Sequence, residues 1–161
     1  MELTLMAIGF VRGGRTEIVD DAWDTVKAEI ELDADHFSEE ALFGLRDFSH
    51  IEVLFHFHEG DPHGIVTGTR HPRGRLDWPK VGIFAQRGSM RPNRLGITTC
   101  RVLGVEGPKV LVQGLDAIDG TPVLDIKPVM TGFAPRGVVR EPDWAREIMA
   151  EYWHTPGEQE A

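Results

Sequence analysis

At 161 residues, with 41% hydrophobic and 27% charged residues, the chain has the size and balance of one soluble globular domain. No run of about 18 apolar residues occurs, which excludes a membrane-spanning helix, and the single cysteine, Cys100, excludes an intrachain disulfide or a cysteine-cluster metal site and fits a reducing cytoplasm. The net charge of −9 argues against nucleic acid as an average, but residues 70–101 hold eight basic residues and one acid, a net of +7 against −16 elsewhere, which suggests a phosphate-binding patch.

The N-terminal stretch lacks a basic start and a small-residue cleavage site, so it is expected to be mature structure rather than a signal peptide. Leu3 to Val11 alternates weakly and predicts a strand closed by Gly13-Gly14. Thr25 to Leu32 alternates cleanly, with Val26, Ala28, Ile30 and Leu32 on one face. Ser38 is expected to cap a short helix over Glu39 to Leu45, with Glu39 and Glu40 near its positive end. His50 to His58 is rich in β-formers. Residues 59–80 hold several glycines and prolines and read as a long loop, of the kind that is functional or mobile.

Val81 to Gln86 predicts a short strand. Ile97 to Glu106 and Lys109 to Leu115 predict two strands joined through Gly107-Pro108, a hairpin signal, and Pro122 to Ile126 predicts another. Pro142 suits the first turn of a C-terminal helix running to about Trp153. Trp144, Ile148 and Tyr152 form its apolar stripe, read as packing on the body of the protein, with a dimer contact as the alternative. The last residues, Gly157 to Ala161, are expected to fray. The elements describe a mainly β protein, a small β-barrel with a short inserted helix and a C-terminal helix. It is read as one domain over 1–161, with a core at about 3–128 and the helix at about 142–153. No glycine-rich strand–turn–helix fingerprint is present, so any dinucleotide or nucleoside site is not of the Rossmann type.

Several residues break the strand pattern in ways that suggest chemistry. His56 and His58 share a strand face and, with Glu59, Asp61 and His63, resemble metal ligands. The glutamate follows immediately and no second histidine strand appears downstream, so polar strand-end residues are the preferred reading and no metal is assigned. Arg87 follows a strand beside Gly88, and its fork suits a carboxylate. Arg91 and Asn93 flank a proline, which is unusual for core filling. They suit a substrate phosphate or carboxylate, against the plainer role of pinning a loop. Asp119-Gly120 is a turn signal. Asp125 and Lys127 are two apart, share a strand face and are expected to form an ion pair within the site. The absence of a GxSxG motif and the β-rich surroundings of Cys100 argue against nucleophilic catalysis.

Four motifs carry a family resemblance: FSH at Phe48 to His50, FA-x-R at Phe84 to Arg87, RPN-x-x-G at Arg91 to Gly96, and LD-x-x-DGTPV-x-DIKP at Leu115 to Pro128. Together they resemble the TsaA/TrmO family over most of residues 3–128. The resemblance implies a β-barrel catalytic domain that uses S-adenosyl-L-methionine to methylate N6 of a threonylcarbamoylated adenosine next to the anticodon of tRNA, in a cytoplasmic protein that tends to form homodimers. It implies cofactor contacts at His58, Glu59, Arg87, Ile97, Gly114, Leu115 and Asp116. Substrate contacts are expected at Arg91, Asn93, Asp125 and Lys127, and no catalytic base is assigned. The chain departs from the family at Gly88, at Arg94, at Val129 to Gly132, and at Gly13 to Trp23, where many relatives have a proline-rich segment closing the cofactor pocket. Two alternatives stay open: a non-catalytic cofactor- or RNA-binding module of the same fold, and a metal-dependent barrel enzyme using His56 and His58.

Overall fold

A computed structural model describes residues 1–154; the expected fraying of Gly157 to Ala161 lies outside them. Among the described residues eight strands and one α-helix form: β1 (Gly9–Arg12), β2 (Lys27–Leu32), β3 (His50–His56), β4 (Thr69–Arg70), β5 (Val81–Gly82), β6 (Leu95–Glu106), β7 (Lys109–Gln113), β8 (Pro122–Pro128) and α1 (Asp143–Met149). Six strands close a barrel in the order β1-β2-β7-β6-β3-β8, every neighbour antiparallel, with β8 returning to β1. Closure leaves this sheet without an open edge.

Period-2 alternation fills the barrel. Val11, Ile30, Ile51, Val53, Phe55, Val110, Val112 and Val123 are at most 1% exposed, and Leu115 joins them from the β7–β8 connection. The β6–β7 hairpin turns at Gly107, whose φ of +57° favours glycine. Gly96 sits where a side chain has no room. An added Cβ would lie 2.5 Å from two ring carbons of Phe55 and 3.0 Å from Phe57.

Four expected elements are corrected. The first strand begins at Gly9, not Leu3: Ile8 still bonds Val123 and Asp33, and before it Leu3, Leu5 and Met6 are exposed. The inserted helix is two 3-10 turns, Glu39–Leu42 and Leu45–Asp47, separated by Gly44 at φ +83°, and the Ser38 side chain makes no cap bond. Only Val81 and Gly82 of the expected Val81 to Gln86 strand pair as a strand, with β4 outside the barrel. Ile83 then turns inward and is 2% exposed. Residues 59–80 therefore carry structure of their own, and Trp78 within them is buried.

The C-terminal helix ends at Met149, with Pro142 as its cap residue. Beyond it, the carbonyls of Glu151, Tyr152 and Trp153 accept hydrogen bonds from the N–H groups of Ala22, Trp23 and Asp24 at 3.2, 3.1 and 2.9 Å. Trp78 Nε1 donates to Glu147 at 2.6 Å. The segment thus packs on the body as expected. The helix stops short of the expected Trp153, however, so Tyr152 lies outside it, and these contacts are main-chain bonds and the Trp78–Glu147 pair rather than one helical stripe. No helix among the described residues is long and apolar enough to cross a membrane.

Candidate functional site

The chemistry concentrates where β6, the β7–β8 connection and the C-terminal segment meet. β7 ends at Gln113, and Gly114 at φ +82° turns the chain while its N–H donates to Val26 O at 3.0 Å. This turn sends the Leu115 side chain into the core and carries Asp116 to the β6 side. A contact from Leu115 to a ligand would therefore come from its main chain. Asp116 is partly exposed but enclosed by protein on most sides. Its Oδ1 accepts from the buried Thr98 hydroxyl and its Oδ2 from the Tyr152 hydroxyl.

Burial pushes the Asp116 carboxyl above the usual carboxylate range, and the two hydroxyl donors and the Arg87 charge oppose that shift. The same enclosure, and then Asp116 itself, push the Tyr152 phenol well above an ordinary tyrosine, with Arg87 and Arg73 opposing. Burial and then Asp116 push the Cys100 thiol up to about 12, which keeps it an inert thiol at neutral pH.

Arg87 Nη2 donates to Ile97 O at 2.6 Å, so the guanidinium is held by a neutral group and keeps its charge beside Asp116. The Ile97 side chain points out of the barrel and is 45% exposed. His58 Nε2 lies 3.8 Å from Glu59 and faces the Asp119–Gly120 turn, 3.6 Å from where a Cβ on Gly120 would stand. Asp119 is structural, as the turn signal predicts: its Oδ1 accepts from Gly13 N–H at 2.7 Å, and its own N–H donates to Arg15 O at 2.7 Å. Burial, then Arg94 and His58, lower the basicity of His56. Among the described residues no three His, Cys, Asp or Glu side chains converge on a common point.

Asp125 and Lys127 form the expected ion pair at 2.6 Å, but away from Asp116. Asp125 is paired with Leu54, which on its other side pairs with Ile97, so it stands two strands across the barrel from Ile97. It borders a separate cleft of about 430 Å³ lined by Phe37, Phe48, Ile126 and Pro128.

The basic segment divides in two. Arg73 makes a bidentate pair with Asp21 at 3.0 and 2.6 Å, Arg75 pairs with Asp77, and Arg101 pairs with Asp24 at 3.1 Å. By contrast, Arg87, Arg91 and Arg94 donate to the carbonyls of Ile97, Gln86 and Gly60 at 2.6, 2.8 and 2.8 Å, and none is ion-paired among the described residues. Carbonyl anchoring orients a guanidinium without cancelling its charge, so these three keep a positive potential that a neutralised cluster would lose. Arg91 does pin its loop, as its plainer reading holds, and remains cationic while doing so. Asn93 is exposed at φ +63° between them.

The structure brings together Arg87, Ile97 and Asp116, with Gly114 and Leu115 positioning the last. Sequence reasoning missed Thr98 and placed Tyr152 only on an apolar stripe. A threonine between inward-facing Gly96 and Cys100 was the available signal for the first. The lone tyrosine of the chain was the signal for the second.

Residues 18–134 match the family model described as the tRNA-methyltransferase O N-terminal domain. The chain is 42% identical over 95 residues to the tRNA (adenine(37)-N6)-methyltransferase of Mus musculus, covering 59% of this chain and 22% of that protein. It is 36% identical over 101 residues to a Pyrococcus abyssi protein named for S-adenosyl-L-methionine binding, covering 63% of this chain and 52% of that one. A crystal structure of TrmO from Pseudomonas aeruginosa superposes with a TM-score of 0.70 at 29% identity, over 87% of this chain and 62% of that one. The chain therefore spans about a fifth of the mouse protein and about half of the archaeal one.

Proposed function

The chain belongs to the family of the tRNA-methyltransferase O N-terminal domain, and on that premise we propose that it is an S-adenosyl-L-methionine-dependent methyltransferase acting on N6 of a threonylcarbamoylated adenosine next to the anticodon of tRNA. The observation that carries this reading is the enclosed Asp116 carboxylate beside Arg87, which has no ion-pair partner among the described residues. A cation with free fork positions next to an acceptor suits a ligand with an amino-acid end and sugar hydroxyls, and the donor set fits that cofactor. Arg87 would take the carboxylate, and Asp116 a ribose hydroxyl or the ammonium. Gly114 would let main chain approach, with Leu115 contributing through its backbone and His58, Glu59 and Ile97 at the rim.

When bound, the cofactor supplies an electrophilic methyl group. The chain's own contribution is orientation, which accounts for much of the acceleration available to a two-substrate reaction. Carbamoylation acidifies N6, so a strong general base is not required. Arg91 and Arg94, charged and carbonyl-anchored, are the proposed phosphate contacts, with Asn93 between them. Asp125 and Lys127 are a more distant extension of the same acceptor surface. We place the protein in the cytoplasm with its RNA substrate, and assign it as a homodimer. Exposed Met130, Phe133, Val138 and Val139 after β8 supply apolar surface for that contact, and sedimentation equilibrium tests it.

The test of function is incubation with methyl-labelled S-adenosyl-L-methionine and total tRNA, followed by nucleoside digestion. Label is expected in one modified adenosine. Cofactor binding without label in any nucleoside would reject the transferase reading.

A further inference from the structure

We propose that Tyr152 is a positioning residue of the Asp116 site: the C-terminal segment delivers its phenol to Asp116 Oδ2 and so holds the carboxylate for ligand binding. The ligand part of this inference rests on the reading of Asp116 as a cofactor contact; the coupling of the two side chains does not.

The contact is built. The carbonyls of residues 151–153 are each fixed by a main-chain bond from residues 22–24. Glu147 is tied to buried Trp78. The Tyr152 ring meets Trp153 edge-on at 5.0 Å, and the Arg73 guanidinium lies 6.0 Å from its centroid. Arg73 in turn grips Asp21, and Arg15 donates to the carbonyls of Asp21 and Ala22 while lying over Trp23. The segment is thus fixed by its main chain, the ring lies between Trp153 and Arg73, and the hydroxyl donates to one atom.

That atom needs it. Among the described residues Asp116 has no ion-pair partner, since Arg87 donates through Nη2 to Ile97 O and acts on the carboxylate only through space. Each carboxylate oxygen has one side-chain donor, Thr98 on Oδ1 and Tyr152 on Oδ2. The titratable and charged groups around the pair are Cys100 from β6, Arg87 from the β5–β6 connection, and Arg73. Replacing the phenol by a phenyl ring leaves a desolvated oxygen with no direct side-chain donor, which favours the protonated acid. A protonated Asp116 gives up an acceptor site and its charge attraction for an ammonium. Tyr152 lies outside residues 18–134, the segment that matches the family model.

Two titrations without ligand test the coupling. The carboxyl carbon resonance of Asp116, followed against pH, is expected to move its midpoint up by about one unit in Tyr152→Phe, the loss of one hydrogen bond to a charged group. Conversely, Tyr152 is the only tyrosine, so tyrosinate absorbance reports it alone. Asp116→Asn is expected to let it ionise at lower pH than in the wild type. An unchanged Asp116 midpoint in Tyr152→Phe, or an unchanged phenol titration in Asp116→Asn, overturns the proposal. The second variant keeps the test open should the first misfold.

Calorimetry with S-adenosyl-L-methionine then separates the two levels. Tyr152→Phe is expected to bind several-fold more weakly near and below its raised midpoint and to converge on wild-type affinity at higher pH. Wild-type affinity in Asp116→Asn would reject Asp116 as a cofactor contact while leaving the coupling intact. Loss of binding in Asp116→Asn with a wild-type pH profile in Tyr152→Phe would reject the positioning role and keep the cofactor reading.

Discussion

Gly96 offers the sharpest test of how the barrel is packed. An added methyl would stand 2.5 Å from Cε2 and Cζ of Phe55, a side chain only 1% exposed. The ring cannot retreat freely, because it packs edge-on against Phe57 at 5.3 Å. Gly96 has no positive φ, so Gly96→Ala probes space and not backbone strain. Overpacking of this kind costs about 2 kcal/mol, which for a chain of this size lowers the melting temperature by about 4–8 °C. Phe55→Leu alone should cost about 1–2 kcal/mol, less than full truncation of a buried phenylalanine. It also removes the atoms that the methyl meets. The double variant should therefore cost less than the two single changes together, by about 1 kcal/mol or more. Urea denaturation of the four proteins measures this coupling. Additivity to within about 0.5 kcal/mol would refute the argument, because the ring would then not be what excludes a side chain at residue 96.

Asp116→Asn should raise the melting temperature at neutral pH, because the folded carboxyl titrates above its unfolded value of 3.8 and is destabilising when ionised. The gain should shrink as pH falls through the folded midpoint and vanish below the unfolded one; a less stable variant at neutral pH would mean that the Thr98 and Tyr152 hydrogen bonds outweigh burial. Arg87→Ala should weaken S-adenosyl-L-methionine binding more than Arg87→Lys, since lysine keeps charge but loses the fork, and calorimetry with wild-type affinity in both would exclude Arg87 from the cofactor site. Arg73→Ala removes the bidentate grip on Asp21 and should speed hydrogen exchange at the amides of Ala22, Trp23 and Asp24, which bond to the C-terminal carbonyls. Unchanged exchange there would show that the segment is held without Arg73.

Local chemistry made much of this protein readable from its residues. The alternation in β2, β3, β6 and β7 has a period of two wherever one face is buried, and Gly107-Pro108 marks a hairpin by backbone preference alone. The motifs around Arg87 and Asp116 named the family, and the barrel follows. What the residues did not reveal depended on partners distant in the chain. Gly44 splits the expected inserted helix by adopting a left-handed conformation that residue type permits but does not require. The basic run from residue 70 to 101 reads as uniform. Folding neutralises Arg73 and Arg101 with acids from residues 20–24 and leaves Arg87, Arg91 and Arg94 on carbonyls. Asp116 meets Thr98 because β6 and β7 are neighbours, and Tyr152 because the chain returns after the barrel closes. Helical spacing put that tyrosine on an apolar stripe, and at the level of sequence its ring and its hydroxyl give opposite signals. Only the packed structure turned the ring toward Trp153 and the hydroxyl toward a carboxylate, because a hydrogen bond inside an enclosed site is decided by which groups the whole fold brings to it.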